Sequence, residues 1–135
     1  YNPQMTTGQP LHGKGNSYKN KDVTNNCYGD IKGTEDDRKG STEKYPTSIV
    51  RFQKPHPSCA VHPTQKSVEL CEWLIKTYTN EGETILDNCM GSGTTGVAAI
   101  NTDRNFIGIE LTEKYFKIAE ERINSAVEDK RCQLF

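Results

Sequence analysis

The sequence predicts an α/β domain built on a pair of parallel strands, and three observations predict it. Thr84-Ile85-Leu86-Asp87 is an apolar run closing on a carboxylate. The glycine turn 88–96 and helix-forming Val97-Ala98-Ala99-Ile100 follow it. A strand, a glycine turn and a helix in that order set backbone N–H groups beside a ligand. A second apolar run, Phe106-Ile107-Gly108-Ile109-Glu110, also ends in an acid, 17 residues past Gly93. That is close to the separation at which a carboxylate closing the next parallel strand reaches ribose hydroxyls. Amphipathic stretches on both sides supply the helices that cover such a pair.

Taken in order, residues 1–60 are rich in Gly, Asn, Lys, Thr and Ser, a loop composition with little helical or strand period. Lys14, Lys19, Lys21, Lys32, Arg38, Lys39, Lys44, Arg51 and Lys54 alternate there with Tyr18, Tyr28, Tyr45 and Phe52. Basic residues interleaved with aromatics suit contacts to phosphates and bases, and suit equally a solvated loop with a few docking rings. One short strand is expected at Ser48-Ile49-Val50-Arg51-Phe52, where apolar and polar residues alternate. Pro55-His56-Pro57 then blocks helix and marks a linker.

Residues 61–135 carry most of the apolar side chains. A helix is expected over 67–78, with Val68, Cys71, Ile75 and Tyr78 on its buried face and Leu70 and Leu74 in support. Before it, His62 and Lys66 read on their own as parts of a capping segment. Thr112 is a suitable N-cap for a last helix over 113–128, with Leu111 and Phe116 spaced as a hydrophobic staple. Phe116, Ala119, Ile123 and Ala126 form its core stripe, and this helix reads as purely structural.

Composition narrows the function classes. The 135 residues suffice for one domain. A mean hydropathy of −0.80 is polar for a chain that buries a large core. With 17 basic and 18 acidic residues the net charge is −1, so the global basic footprint of many nucleic-acid binders is missing. The five cysteines, 27, 59, 71, 89 and 132, lack metal-ligand spacing and read as reduced residues of a cytoplasmic protein; no metal site is expected. No apolar run reaches membrane-spanning length, and no signal peptide is visible.

Gly91-Ser92-Gly93-Thr94-Thr95-Gly96 matches the Gly-x-Gly-x-x-Gly pattern, which alone is weak. In a dinucleotide site the first glycine follows the strand almost directly, whereas Asp87-Asn88-Cys89-Met90 intervenes here. An acid at the strand end repels a pyrophosphate but suits a ligand bearing an ammonium group. A nucleoside with a positively charged amino-acid tail fits better, and S-adenosylmethionine is such a molecule. A plain turn between strand and helix, with Glu110 complementing the last helix dipole, is the bland alternative. A Walker A loop is excluded because its Gly-Lys pair is absent.

Three ordered motifs carry a family resemblance: His62-Pro63-Thr64-Gln65-Lys66, Leu86-Asp87-Asn88-Cys89-Met90-Gly91-Ser92-Gly93-Thr94-Thr95, and Phe106-Ile107-Gly108-Ile109-Glu110-Leu111-Thr112-Glu113-Lys114-Tyr115. They resemble the cofactor motifs of S-adenosylmethionine-dependent DNA amino-methyltransferases, the group whose target-recognition region and catalytic motif precede them. The match covers about residues 60–125. Tyr1-Asn2-Pro3-Gln4-Met5 and Tyr45-Pro46-Thr47-Ser48-Ile49 are similar to the target-recognition stretch of bacterial and phage adenine methylases.

The resemblance implies a Rossmann-like methyltransferase fold with a partial sheet and an irregular polar, target-recognition-like region over 1–60. It implies S-adenosylmethionine as cofactor, DNA as partner, a place in restriction-modification, and transfer of a methyl group to an exocyclic amine. Adenine N6 is the first choice of acceptor and cytosine N4 the alternative. Asp87, Gly91 and Gly93 would line the methionine end of the cofactor, with Ser92, Thr94 and Thr95 ordering the loop. Thr64 and Lys66 would approach its carboxylate and Glu110 its ribose, with Asn88, Cys89 and Leu111 completing the contacts. Asn88 and Ser67 stand where the family usually has proline, a loss of rigidity and not of a ligand group. The catalytic Asp/Asn/Ser-Pro-Pro-Tyr/Phe motif, which engages a base flipped from the duplex, has no counterpart here. The chain therefore reads as the C-terminal part of such an enzyme, inactive alone, completed by an N-terminal part and capable of a homodimer. A nicotinamide-dependent oxidoreductase fragment and a non-catalytic DNA-binding or assembly module are the alternatives.

Overall fold

The computed structural model describes residues 1–10, 23–25, 29–31, 40–56, 58 and 60–133. The chain runs β1 (Thr6–Thr7), β2 (Val23–Asn25), β3 (Gly29–Ile31), β4 (Glu43–Lys44), α1 (Val68–Tyr78), β5 (Thr84–Asp87), α2 (Thr94–Asn101), β6 (Asn105–Gly108) and α3 (Glu113–Gln133). It divides into two compact units, one of Tyr1–Gln4 with Thr47–Phe135 and one of Met5–Pro46. The division thus falls at Pro46 and not at the expected residue 60, and the first four residues belong with the α/β part.

In the smaller unit β1 pairs antiparallel with β4, Thr6 opposite Lys44 and Thr7 opposite Glu43. β2 pairs antiparallel with β3. The strand expected at 48–52 is not formed: these residues have no ladder, Ile49 is 70% exposed, and the Thr47 hydroxyl donates to the Ile49 carbonyl at 2.7 Å. A bend closed by a side chain competes with extended pairing, and an alternating pattern alone supplies no partner strand. Of the basic and aromatic residues noted in 1–60, Lys14, Lys19, Lys21, Lys32, Arg38, Lys39, Tyr18 and Tyr28 lie outside the described residues, as do Cys27 and Cys59.

The larger unit is the α/β part. Ser67 caps α1, its hydroxyl accepting the Leu70 N–H at 3.2 Å. Ile75 is buried, and Val68 and Cys71 pack with it against Ala98 and Ala99 of α2 and against Ile85 and Phe106 of the strands. Tyr78, expected on this face, is 65% exposed and sits beside the Tyr1 ring at 6.0 Å. Thr77, on a different side of the helix, is fully buried. Its hydroxyl donates to the Trp73 carbonyl at 2.7 Å, so burial leaves no donor unpaired.

β5 and β6 are parallel, with Ile85 opposite Phe106, Leu86 opposite Ile107 and Asp87 opposite Gly108. β6 ends at Gly108, two residues before the expected end at Glu110. Ile85 and Phe106 face the helices, while Leu86 and Ile107, on the opposite face, are 65% and 55% exposed. Apolar residues on both faces are the pattern of a parallel sheet covered on both sides.

Two ties lock the helices to the strand ends. Buried Arg104 donates to the Thr79 hydroxyl at 3.1 Å, the Thr79 carbonyl at 2.8 Å and the Thr102 carbonyl, joining the ends of α1 and α2. Arg104→Leu leaves these acceptors without their donor and is expected to lower stability by about 3 kcal/mol in urea unfolding. A loss below about 0.5 kcal/mol would place the tie among exposed pairs of no consequence. Near the end of α3, Lys130 pairs with Asp103 at 2.6 Å and donates to the Ile100 carbonyl at 2.7 Å, which anchors the turn beyond residue 128. Ala119 and Ala126 are buried as expected, but Phe116 is 42% and Leu111 100% exposed. The staple is therefore absent, since a staple requires its two side chains to touch.

Candidate functional site

At the carboxyl end of β5 lies a cavity of about 240 Å³ lined by His62, Thr64, Gln65, Lys66, Cys71, Asp87, Cys89, Met90, Gly91, Ser92, Thr94 and Thr95. Eight of the expected residues meet here: Thr64, Lys66, Asp87, Cys89, Gly91, Ser92, Thr94 and Thr95. Asn88, Gly93, Glu110 and Leu111 are outside the lining.

The turn is shaped by its backbone. Asp87, the last residue of β5, accepts the Cys89 N–H at 3.1 Å and so starts the bend. Gly91 and Gly93 have φ of 55° and 75°, which L side chains rarely adopt. A Cβ on Gly93 would lie 2.8 Å from the Ala119 Cβ and 3.0 Å from its Cα, so this glycine lets the loop rest directly on α3. At Gly91 a Cβ would meet only the His62 ring, at 3.8 Å, and the room is left on the cavity side.

Glu110 braces the loop from below. One carboxylate oxygen accepts the Gly91 N–H at 2.9 Å and the other the Thr112 N–H at 2.9 Å. The Thr112 N–H above all, then the Gly91 N–H, and nearby His62, hold the carboxyl below its ordinary range. Glu110 is therefore ionised at neutral pH, and each oxygen has a further lone pair for an outside donor. The sequence suggested a ribose contact or a helix-dipole acid for this residue and gave no sign of the brace.

His62, read from sequence as a capping residue, lines the cavity. Its ring packs edge-on against Tyr115 at 4.3 Å, and Nδ1 accepts the Thr64 N–H at 3.2 Å. A neutral ring then carries its proton on Nε2, one of the ring atoms nearest Gly91. Cys71 also lines the cavity. Burial pushes its thiol up, opposed by a hydrogen bond with Thr95, so it is a neutral packing group. α3, read as purely structural, sends Arg122 to the loop, where the guanidinium donates to the Ser92 carbonyl, to Ser92 Oγ at 3.0 Å and to Thr94 Oγ1 at 3.4 Å. No local signal marked Arg122, because its partners are about thirty residues away in sequence.

Chemically, the cavity sets an acid, Asp87, and a base, Lys66, among the Thr64, Ser92, Thr94 and Thr95 hydroxyls. An acid beside a base with surrounding hydroxyls complements an amino-acid zwitterion. Its volume is below the roughly 300 Å³ at which small-molecule pockets begin. It suits one end of a larger ligand. Among the described residues no group of three or more His, Cys, Asp and Glu could hold a metal ion, and no helix is long and apolar enough to cross a membrane.

A parallel strand pair with this glycine loop and acidic strand end belongs to a known class. Residues 4–121 match the DNA methylase family model, and the chain belongs to that family. Among its relatives, the type II methyltransferase M2.DpnII of Streptococcus pneumoniae is 50% identical over 64 residues, 47% of this chain and 24% of that protein. The DNA adenine methyltransferase YhdJ of Escherichia coli K12 is 43% identical over 65 residues, 48% of this chain and 22% of that protein. The crystal structure of an M1.HpyAVI–SAM complex superposes with a TM-score of 0.54 at 44% identity, over 64% of this chain and 42% of that one. The chain thus spans about a quarter of the length of these curated relatives. The fold is the Rossmann-like methyltransferase fold, here as a partial sheet.

Proposed function

We propose that the chain forms the methyl-donor half of a DNA methyltransferase, with S-adenosylmethionine as cofactor and the exocyclic N6 of adenine as acceptor. The observation that carries this is the cavity at the end of β5, where Asp87 and Lys66 flank a glycine loop. Asp87 takes the ammonium group of the ligand, and Lys66 with Thr64 takes its carboxylate. Glu110 offers its free lone pairs to the ribose hydroxyls. Asn88 and Leu111, outside the lining, contact the nucleoside part that the cavity does not enclose. The bound cofactor supplies an electrophilic methyl group on a sulfonium; the chain's residues bind and orient it. The adenine choice is supported by a relative whose name states that specificity, and cytosine N4 is the alternative.

The acceptor side is assigned to further polypeptide. The Asp-Pro-Pro-Tyr type of motif is absent from these 135 residues, and Leu86, Ile107 and Ile109 leave one sheet face apolar and exposed. We therefore expect no methyl transfer to DNA by this chain alone. The remainder of the enzyme, in the same polypeptide or a partner, would cover that face. A cytoplasmic restriction-modification setting and a homodimer belong to the same proposal.

Calorimetric titration tests the cofactor: S-adenosylmethionine should bind with 1:1 stoichiometry and NAD should not. Preferential NAD binding would revive the oxidoreductase reading. Salt-dependent DNA binding with no cofactor affinity would favour a non-catalytic module. Cys89 gives an independent readout, being exposed and in the cavity wall. Saturating S-adenosylhomocysteine is expected to slow its alkylation by iodoacetamide about tenfold or more, the occlusion expected of a ligand held well above its Kd. Exposed Cys132 should react at an unchanged rate. Equal slowing of both cysteines, or of neither, would move the ligand away from this cavity.

A further inference from the structure

We propose that Arg122 is a positioning residue that fixes the donor loop for the cofactor, an inference that rests on the cofactor reading above. Arg122 is half-buried on α3 and three residues past Ala119, the residue on which Gly93 rests. One face of α3 thus contacts two consecutive loop residues in different ways. Ala119 sets how closely the backbone approaches, and Arg122 sets its rotation by holding the Ser92 carbonyl.

The direction of that carbonyl matters for binding. With its oxygen taken by the guanidinium, the Ser92 peptide does not turn the oxygen toward the cavity, where it would compete with a ligand carboxylate for the Lys66 ammonium and repel that carboxylate. The same guanidinium draws in Ser92 Oγ and Thr94 Oγ1, at 3.0 and 3.4 Å, which orders the side chains of two lining residues. A charged donor with several acceptors in a partly desolvated place is a strong restraint. Ile123, next in sequence, blocks any side chain at Gly96, so the first turn of α2 is held by the same stretch of α3. Arg122 does not line the donor cavity, so its effect on a ligand there must pass through the loop.

The test uses the 135-residue chain with Arg122→Met, which keeps the apolar stem, and Arg122→Lys, which keeps one charged donor. S-adenosylhomocysteine affinity is read by titration and loop order by amide hydrogen exchange at Ser92–Thr95 without ligand. Arg122→Met should weaken binding about tenfold or more, the equivalent of one lost hydrogen bond to a charged group. Arg122→Lys should recover part of that loss. Exchange at the loop amides should rise in the Met variant while the amides of α1 exchange as before. Unchanged loop exchange in Arg122→Met overturns the proposal whatever the titration gives. So does unchanged affinity in a variant whose parent binds, or a uniform rise in exchange across α1, which would make Arg122 a general stability residue. A parent chain that binds no cofactor sinks the cofactor reading, and the exchange data then decide the loop restraint separately.

Discussion

Gly93→Ala should unfold the loop region and abolish ligand binding in this chain. Two costs coincide at this position. The backbone has φ of 75°, where an L side chain costs about 1–2 kcal/mol. The new methyl group would also lie 2.8 Å from the Ala119 Cβ, and such overpacking costs typically about 1–3 kcal/mol. The Ala119 backbone Cα is only 3.0 Å away, so a side-chain rotation cannot relieve the clash. A fall in stability of about 2–5 kcal/mol is expected in urea unfolding followed by Trp73 fluorescence, a large part of the roughly 5–15 kcal/mol that holds a domain folded. Gly82→Ala is the matched control: its φ is 81°, and a Cβ there meets nothing within 4 Å. It should show the conformational cost alone, about 1–2 kcal/mol. Equal losses at the two sites would mean that the loop does not rest on α3 as described.

Asp87→Asn is the second large effect, and it separates binding from folding. The amide keeps the size of the side chain and an oxygen that can accept the Cys89 N–H, whose distance is 3.1 Å in the parent. Stability is therefore expected to change by less than about 0.5 kcal/mol. Affinity for S-adenosylmethionine should fall roughly a hundredfold, because the ligand ammonium loses its charged partner in a partly enclosed site. Adenosine, which lacks the amino-acid tail, should bind the parent and the variant equally weakly. A variant that retains full affinity for the complete cofactor would remove Asp87 from the site and leave the acid as a turn-former only.

Wherever neighbouring residues decide, the sequence is a sufficient guide. Thr84–Asp87 is a strand, the glycines follow it, and α2 begins at Thr94, all set by a short apolar run, two positive-φ positions and a run of helix formers. Ser67, expected as the first residue of α1, is instead its N-cap, where its hydroxyl meets an orphan N–H three residues on. Eight of the twelve proposed cofactor residues meet in one cavity because they come from two contiguous stretches, 64–66 and 87–95. Periodicity failed where burial comes from a side of the helix that the apolar stripe does not mark. At the end of α1, Tyr78 on the stripe is exposed, while Thr77, roughly 100° around the helix from it, is buried and bonds its own helix. It failed again at 48–52, where alternation has no strand to pair with, and at Leu111, whose staple partner is not in reach.

The sequence by itself determined the α/β class, the strand, glycine turn and helix at its centre, and the family motifs, because these are patterns within a few residues of one another. Tertiary structure alone decided that Glu110 braces Gly91, that His62 packs on Tyr115 in the cavity wall, and that Arg122 holds Ser92. Each of these joins residues 19 to 53 positions apart. A contact at that distance depends on how strands and helices stack, and stacking is set by the packing of many side chains at once, not by the residues that meet.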